Sequence, residues 1–272
     1  MKINLFDSHV HSDNSHDGHH SVLYLCEKAR DNRIMGLCIT DHFECEAKDI
    51  AKQEIAIKQS AFEVERARLT TFGSDVMITK GIELGQGQMR PDIAASITES
   101  TDFDFVIGSM HVLPDGTDYF YLNYDDPQVV ISDILMQYYK DQYDMAVWNG
   151  FDTLGHLSYP ERYIWGNYRI PVNNAPYREI IDETLKVLIA NGKSLEVNTA
   201  GLGSGLGKTT ADRETLIRYR ELGGELITIG SDAHTAQKMG NCFDNAMDML
   251  TSIGFRYFAF YRHRKPVMLG IL

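Results

Sequence analysis

Short apolar runs ending in polar clusters alternate along this chain with longer stretches of helical periodicity, which is the pattern of repeated β-α units. Eight runs read as strands: Ile3 to Asp7, Met35 to Thr40, Met77 to Glu83, Phe105 to Ser109, Thr153 to His156, Ser194 to Asn198, Leu226 to Ser231 and Tyr257 to Tyr261. Between them, Val22 to Asp31, Ile50 to Thr70, Tyr177 to Ala190, Thr210 to Glu221 and Asn245 to Thr251 space their apolar residues to bury one helical face. Gly36, Gly73, Gly192, Gly223 and Gly254 stand where helix C-caps or αβ turns are expected. Residues 112–127, with Pro114, Asp115-Gly116 and Asp125-Asp126-Pro127, form the most loop-like stretch, placed to cover a site. Seven or eight such units, with no internal repeat, low-complexity tract or linker, predict one α/β domain over residues 1–272.

Composition narrows the class without changing that picture. Hydrophobic residues make up 43% and charged residues 24%, as in ordinary globular domains, so disorder is not expected. No apolar run approaches the roughly 20 residues needed to span a bilayer, and the first residues read as a strand rather than a signal peptide, so the expected location is cytoplasmic. Cys26, Cys38, Cys45 and Cys242 form no Cys-x-x-Cys pair and read as reduced thiols. A net charge of -12 argues against nucleic acid, whose backbone is bound by clustered Lys and Arg. The oligomeric state is not legible.

Most of the histidines fall at the C-terminal end of an expected strand, where parallel α/β folds and barrels place their active sites. His9 and His11 follow the first strand, His42 the second, and Glu83 ends the third. His111 follows the fourth, His156 ends the fifth, and Asp232 with His234 follows the seventh. In extended chain, residues two apart project from the same face, so His9 with His11, and Asp232 with His234, can each aim two ligands into one site. Each piece alone has an ordinary structural explanation; their convergence at one end of six strands does not. Mixed imidazole and carboxylate ligation suits Zn, Mn or Fe. A carboxylate such as Glu83 can bridge two ions that share a hydroxide, which is hydrolytic chemistry.

The motifs that carry these residues are Phe6-Asp7-Ser8-His9-Val10-His11 with Ser15-His16-Asp17-Gly18, Ile39-Thr40-Asp41-His42, Gly81-Ile82-Glu83, Gly108-Ser109-Met110-His111, Gly155-His156 and Gly230-Ser231-Asp232-Ala233-His234. Together they resemble the PHP superfamily, named for polymerase and histidinol phosphatase. Leu195-Glu196-Val197-Asn198-Thr199-Ala200-Gly201-Leu202 and Phe260-Tyr261-Arg262-His263-Arg264-Lys265-Pro266 resemble its histidinol-phosphatase branch. The resemblance runs from Asp7 to Pro266 and implies a distorted (β/α)7 TIM-like barrel with a trinuclear metal site. By motif position, His9, His11, Glu83 and Asp232 hold one ion, Glu83 bridges to a second held by His111 and His156, and His42 and His234 hold the third. The remaining ligand of the third corresponds to Asp17, or to His16 if the loop is offset by one residue.

The resemblance further implies a metal-dependent phosphoric monoester hydrolase with two or three divalent ions. It would convert L-histidinol phosphate to L-histidinol and phosphate in histidine biosynthesis, by attack of a metal hydroxide, with Glu83, Asp232 and His234 as the catalytic set. Arg162, in Tyr159-Pro160-Glu161-Arg162-Tyr163, stands where this branch tends to place a phosphate-binding arginine, and a guanidinium can grip phosphate oxygens bidentately. Where the branch often has a basic residue after Asn-Thr-x-Gly-Leu, this chain has Gly203; Lys208 is the nearest cation along the chain, and Arg264 is a second candidate to compensate. The alternatives are a phosphoesterase for another small ester or a nucleotide-derived phosphodiester, and a non-catalytic metal-binding regulatory domain.

Overall fold

The computed structural model describes residues 5–70 and 72–271, so Ile3 and Asn4 of the first expected strand lie outside the described residues. The chain runs β1 (Phe6–Val10), α1 (Val22–Asp31), β2 (Gly36–Ile39), β3 (His42–Glu44), α2 (Ile50–Arg68), α3 (Phe72–Asp75), β4 (Met77–Gly85), α4 (Pro91–Ser100) and β5 (Phe105–Ser109). It continues through α5 (Ile131–Trp148), β6 (Thr153–Leu154), α6 (Glu161–Ile164), α7 (Arg178–Ala190), β7 (Ser194–Asn198), α8 (Arg213–Glu221), β8 (Ile227–Gly230), α9 (Phe243–Ile253), β9 (Tyr257–Arg262) and β10 (Lys265–Gly270).

The strands pair in parallel in the order β1-β2-β4-β5-β6-β7-β8. β2 and β3 are two halves of one line, broken at Thr40-Asp41: β2 pairs with the first half of β4 and β3 with the second, setting His42 opposite Glu83. Past the end of β8, Ala233 bridges back to Val10 of β1, with His11 N donating to Ala233 O at 2.9 Å. The sheet thereby nearly closes into a seven-stranded distorted barrel, as expected. Its strands are buried on both faces because helices cover the outside and side chains fill the inside.

The eighth apolar run is not a barrel strand. β9 turns through His263-Arg264 and pairs antiparallel with β10, and the hairpin plugs the N-terminal end of the barrel. Phe260 stacks on Phe6 at 4.5 Å, Tyr261 stacks on Phe105 at 5.0 Å, and the Tyr261 hydroxyl meets Ser194 Oγ at 3.1 Å. Both turn residues have positive φ, which side-chain-bearing residues adopt at a cost. Asp104 holds the turn by accepting from His263 N through Oδ1 and from Arg264 N through its carbonyl. Arg264 is thereby corrected as a phosphate candidate: its Nε donates to Asp152 Oδ2 at 2.5 Å, ahead of β6 and at the opposite end of the barrel from the histidines.

Two helices, α4 and α5, occupy stretches without a clean amphipathic signal. α5 buries Tyr138, Tyr139, Asp141 and Gln142 together, which breaks the one-face pattern. Asp141 is 5% exposed; its Oδ1 accepts from Gln137 Nε2 at 2.9 Å and its Oδ2 has no partner. Burial pushes its carboxyl up to about 6, opposed by the Gln137 bond and reinforced by Asp144. An acid whose folded pKa exceeds its unfolded value of about 3.9 binds more protons when folded. Stability therefore falls as pH rises from about 4 to about 6 and stays reduced above that. Asp141→Asn is expected to stabilise the protein at pH 7 by about 1 kcal/mol, allowing for solvent screening, and to lose that advantage at pH 4. Urea unfolding at the two pH values checks this; equal destabilisation at both would refute it.

Candidate metal centre

The strand-end residues converge in one buried cluster. The end of β1 and the residue after it present His9 and His11 to one site, both without solvent exposure. His9 Nε2 lies 3.2 Å and His11 Nε2 3.5 Å from Glu83 Oε2, and the same two nitrogens lie 3.8 and 3.4 Å from Asp232 Oδ1. His42 Nδ1 reaches Glu83 Oε2 at 3.0 Å. The other oxygen, Oε1, faces His156 Nε2 at 2.8 Å and His111 Nε2 at 3.2 Å, and accepts from Ser109 Oγ at 2.7 Å. Glu83 thus divides its two oxygens between two groups of histidines, which is the disposition a bridging carboxylate requires.

The loop after β1 brings in Asp17, not His16. Asp17 Oδ2 lies 2.9 Å from His234 Nε2 and 3.6 Å from His42 Nε2, whereas the His16 ring is 74% exposed at the cavity mouth. Asp232 has a φ of 54°, a strained conformation for a residue other than glycine. The segment is clamped by buried Asp7, which accepts from Ser231 N at 2.9 Å, from Ser231 Oγ at 2.5 Å and from Gly240 N at 2.8 Å. Asp232 Oδ2 takes Arg162 Nη1 at 2.9 Å, which sets the arginine on α6 beside the cluster. Close approach explains Gly230: a Cβ there would meet His9 Cβ at 2.4 Å.

The electrostatics are those of charges taken out of water and paired. Burial opposes ionisation of Glu83, but His9, His42 and His111 outweigh it and hold its carboxyl well below the usual carboxylate range. Asp232 is likewise held low against burial, by His9, His11, Arg162 and His234. Burial would drive the His111 ring neutral, yet Glu44 and Glu83 raise it to about 10. His11 goes the other way, down to about 3, through burial and the charges of His42 and His234. His9 Nε2, His11 Nε2, His42 Nδ1, Asp17 Oδ1 and Glu83 Oε2 are buried without a hydrogen-bond partner. Ligand atoms of His9, His11 and Glu83, of His42, Glu83 and His111, and of His11, His42 and His234 lie within 4.8 Å of one another. Unpaired buried nitrogens and oxygens are costly unless something completes them, and a divalent cation suits this donor set.

A supporting layer, not assigned from sequence, stands behind the ligands. Glu196 of β7 accepts from His9 Nδ1 at 2.6 Å through Oε1 and from His156 N at 2.7 Å through Oε2. Glu44 takes His111 Nδ1 at 2.7 Å. His11 Nδ1 meets Ser15 Oγ at 3.3 Å, and that hydroxyl donates to Asp41 Oδ1 at 2.9 Å. Carboxylates that take the far nitrogen of an imidazole set its tautomer and aim the near nitrogen at an ion. One signal was available for Glu196: a charged residue inside an apolar strand, two before Asn198, must face the interior with a partner.

The cluster opens into a cavity of about 640 Å³. Arg162, Tyr159 and Tyr163 form one wall, and Asp118, Phe120 and Tyr121 from the loop after β5 form another. That loop does edge the site, but Tyr119 and Tyr124 are buried in the core and only Tyr121 of the three tyrosines there reaches the opening.

A nearly closed parallel barrel with histidines and carboxylates gathered at its C-terminal end defines a metal-dependent hydrolase. Comparison with known proteins makes the class specific. The chain belongs to the PHP domain family, whose model matches residues 7–200, and within it to the histidinol-phosphatase branch. It is 30% identical over 260 residues to a probable histidinol-phosphatase of Thermotoga maritima, covering 94% of this chain and 95% of that one. It is 27% identical to a histidinol-phosphatase of Lactococcus lactis subsp. lactis, covering 95% of each. The crystal structure of histidinol phosphate phosphatase from L. lactis, complexed with Zn, L-histidinol and phosphate, superposes with a TM-score of 0.80 at 25% identity. It covers 97% of this chain and 99% of that one. Among the described residues no helix is long and apolar enough to cross a membrane.

Proposed function

We propose that this chain, as one domain over residues 1–272, hydrolyses L-histidinol phosphate to L-histidinol and inorganic phosphate with two or three divalent ions bound. The observation that carries the reading is the division of Glu83 between two histidine groups beside an arginine-walled cavity. His9, His11, Glu83 and Asp232 would hold one ion, Glu83, His111 and His156 a second, and Asp17, His42 and His234 a third. Zinc is supported by the L. lactis complex, and manganese and iron suit the same donors. When bound, such ions lower the pKa of water and offset the charge of phosphoryl oxygens.

The chain's own residues do the rest. Arg162 grips the phosphoryl oxygens and, through Asp232, is held in register with the ligand cluster. Water attacks phosphorus, the ester P–O bond breaks, and the leaving alkoxide takes up a proton from solvent in the open cavity. Glu83, Asp232 and His234 would act on that water through the ions they hold, and its proton passes to solvent, since Asp232 already gives Oδ2 to Arg162 and its carboxyl is held well below the usual range. The loop after β5 suits the leaving group: Asp118 would pair with an ammonium, and Phe120 and Tyr121, with Phe120 packed edge-on against Tyr163, would face an imidazole ring.

Phosphate release from L-histidinol phosphate and from a panel of other monoesters and a phosphodiester, by protein reconstituted with zinc or manganese, tests the reading. We expect kcat/KM for L-histidinol phosphate to exceed that for the other esters by about 100-fold or more. Preference for another ester would replace the substrate and keep the hydrolase; no hydrolysis at all would favour a metal-binding regulatory domain.

A further inference from the structure

The main cavity does not end at Arg162. A second hollow of about 300 Å³ adjoins it and shares Arg162, Asp232 and His234 as common wall. Its far side is formed by Gly203, Lys238 and Asn241. Gly203 packs directly on Asn241 at this wall: a Cβ there would meet Asn241 Nδ2 at 2.3 Å.

Charge gives the hollow its meaning. A phosphate ester must approach through a protein of net charge -12, in which Asp17, Glu83 and Asp232 are taken up by the ions they would hold. Arg162 is the one lysine or arginine lining the main cavity among the described residues, and it already shares its Nη1 with Asp232. Lys208 is not available, since its ammonium is held by Glu161 Oε2 at 2.8 Å and Asp212 Oδ2 at 3.1 Å. Lys238 is different: it ends the short 3-10 turn Ala236–Lys238 that follows the Asp232-His234 ligands, and its ammonium pairs with no described carboxylate. An unpaired lysine in so acidic a protein, lining a hollow that opens on the ligand cluster, is a free cation for an anion held there.

We propose that this hollow is an anion subsite in which Lys238, together with Arg162, holds the non-bridging oxygens of a phosphoryl group. The proposal deepens the hydrolase reading and rests on it for the identity of the ester, but not for the binding of phosphate. A lysine acts here as a flexible point charge reaching in from the rim, while the planar guanidinium fixes orientation. Both would bind substrate and product alike, so the expected signature is in affinity rather than turnover.

The test uses the full chain, metal-reconstituted, as wild type, Lys238→Ala and Lys238→Arg, with metal content measured in each. Inorganic phosphate is titrated calorimetrically, and KM and kcat are measured on L-histidinol phosphate. For Lys238→Ala we expect phosphate binding weakened about ten-fold, KM raised by a similar factor, kcat within about three-fold and metal content unchanged. Lys238→Arg should recover most of the affinity. Phosphate affinity unchanged within two-fold, or a fall in kcat without loss of phosphate binding, would overturn the subsite. If wild type hydrolyses no ester yet Lys238→Ala still loses phosphate affinity, the subsite stands and the proposed activity falls.

Discussion

Glu83→Gln is expected to lower kcat/KM for phosphate-ester hydrolysis by at least about 1,000-fold and to leave the protein short of metal. The amide is nearly isosteric, so the effect isolates charge and donor pattern. Glu83 Oε2 serves His9, His11 and His42, and Oε1 serves His111 and His156. Glutamine offers one oxygen, so one of the two groups would face an NH2 that cannot act as a ligand. Because His9, His42 and His111 hold the Glu83 carboxyl low, the metal-free variant should also lose stability, so circular dichroism is read beside activity to confirm that it is folded. Metal analysis, circular dichroism and phosphate release together decide. A folded variant with full metal content and more than a tenth of wild-type activity would sink the bridging role.

The second large effect is expected at Glu196, which touches no reacting atom. Its two oxygens accept from His9 Nδ1 and from His156 N, with Asn198 Nδ2 a further donor at 3.3 Å. Three donors around one buried side chain demand two acceptor oxygens. Glutamine in either orientation turns an NH2 toward one of them: toward His9 it would favour the tautomer with the proton on Nε2, the nitrogen that must be bare to bind an ion. We expect Glu196→Gln to weaken metal binding by about 10- to 100-fold, measured by competition with a chromogenic chelator. The His9 tautomer, read from imidazole nitrogen shifts, should change with it. At saturating metal much of kcat should return, since the residue positions a ligand and does no chemistry. Metal affinity within two-fold of wild type would show that packing alone orients His9.

Legibility in the sequence differs from residue to residue. The strands β5 and β7 were legible to the residue, because each is a short apolar run bounded by polar residues. α5 was not, because Tyr138, Tyr139, Asp141 and Gln142 are all buried, leaving no single apolar stripe to detect. The run Tyr257 to Tyr261 was recognised as a strand but misplaced in the barrel. Whether it pairs with β8 or folds back on β10 depends on a turn, His263-Arg264, that has no glycine or asparagine to announce it and is held by Asp104, 159 residues away. Lys208 was a candidate as the nearest cation to Gly203 along the chain and Arg264 by its place at the end of the last strand, and both are committed to carboxylates elsewhere.

The sequence by itself determined the kind of chemistry. Period-two alternation puts His9 with His11 on one face, and the position of each ligand just after its strand is a local feature that survives any detail of packing. It also sufficed for the barrel and for choosing His, Asp and Glu over thiolate ligation. Only the tertiary structure decided which carboxylate oxygen serves which histidines, that Asp17 and not His16 turns inward, and that Glu196 stands behind His9. The physical reason is separation along the chain. His9 and Glu196 are 187 residues apart and their contact is 2.6 Å, so it is set by the closure of the sheet and by no pattern that either segment carries alone.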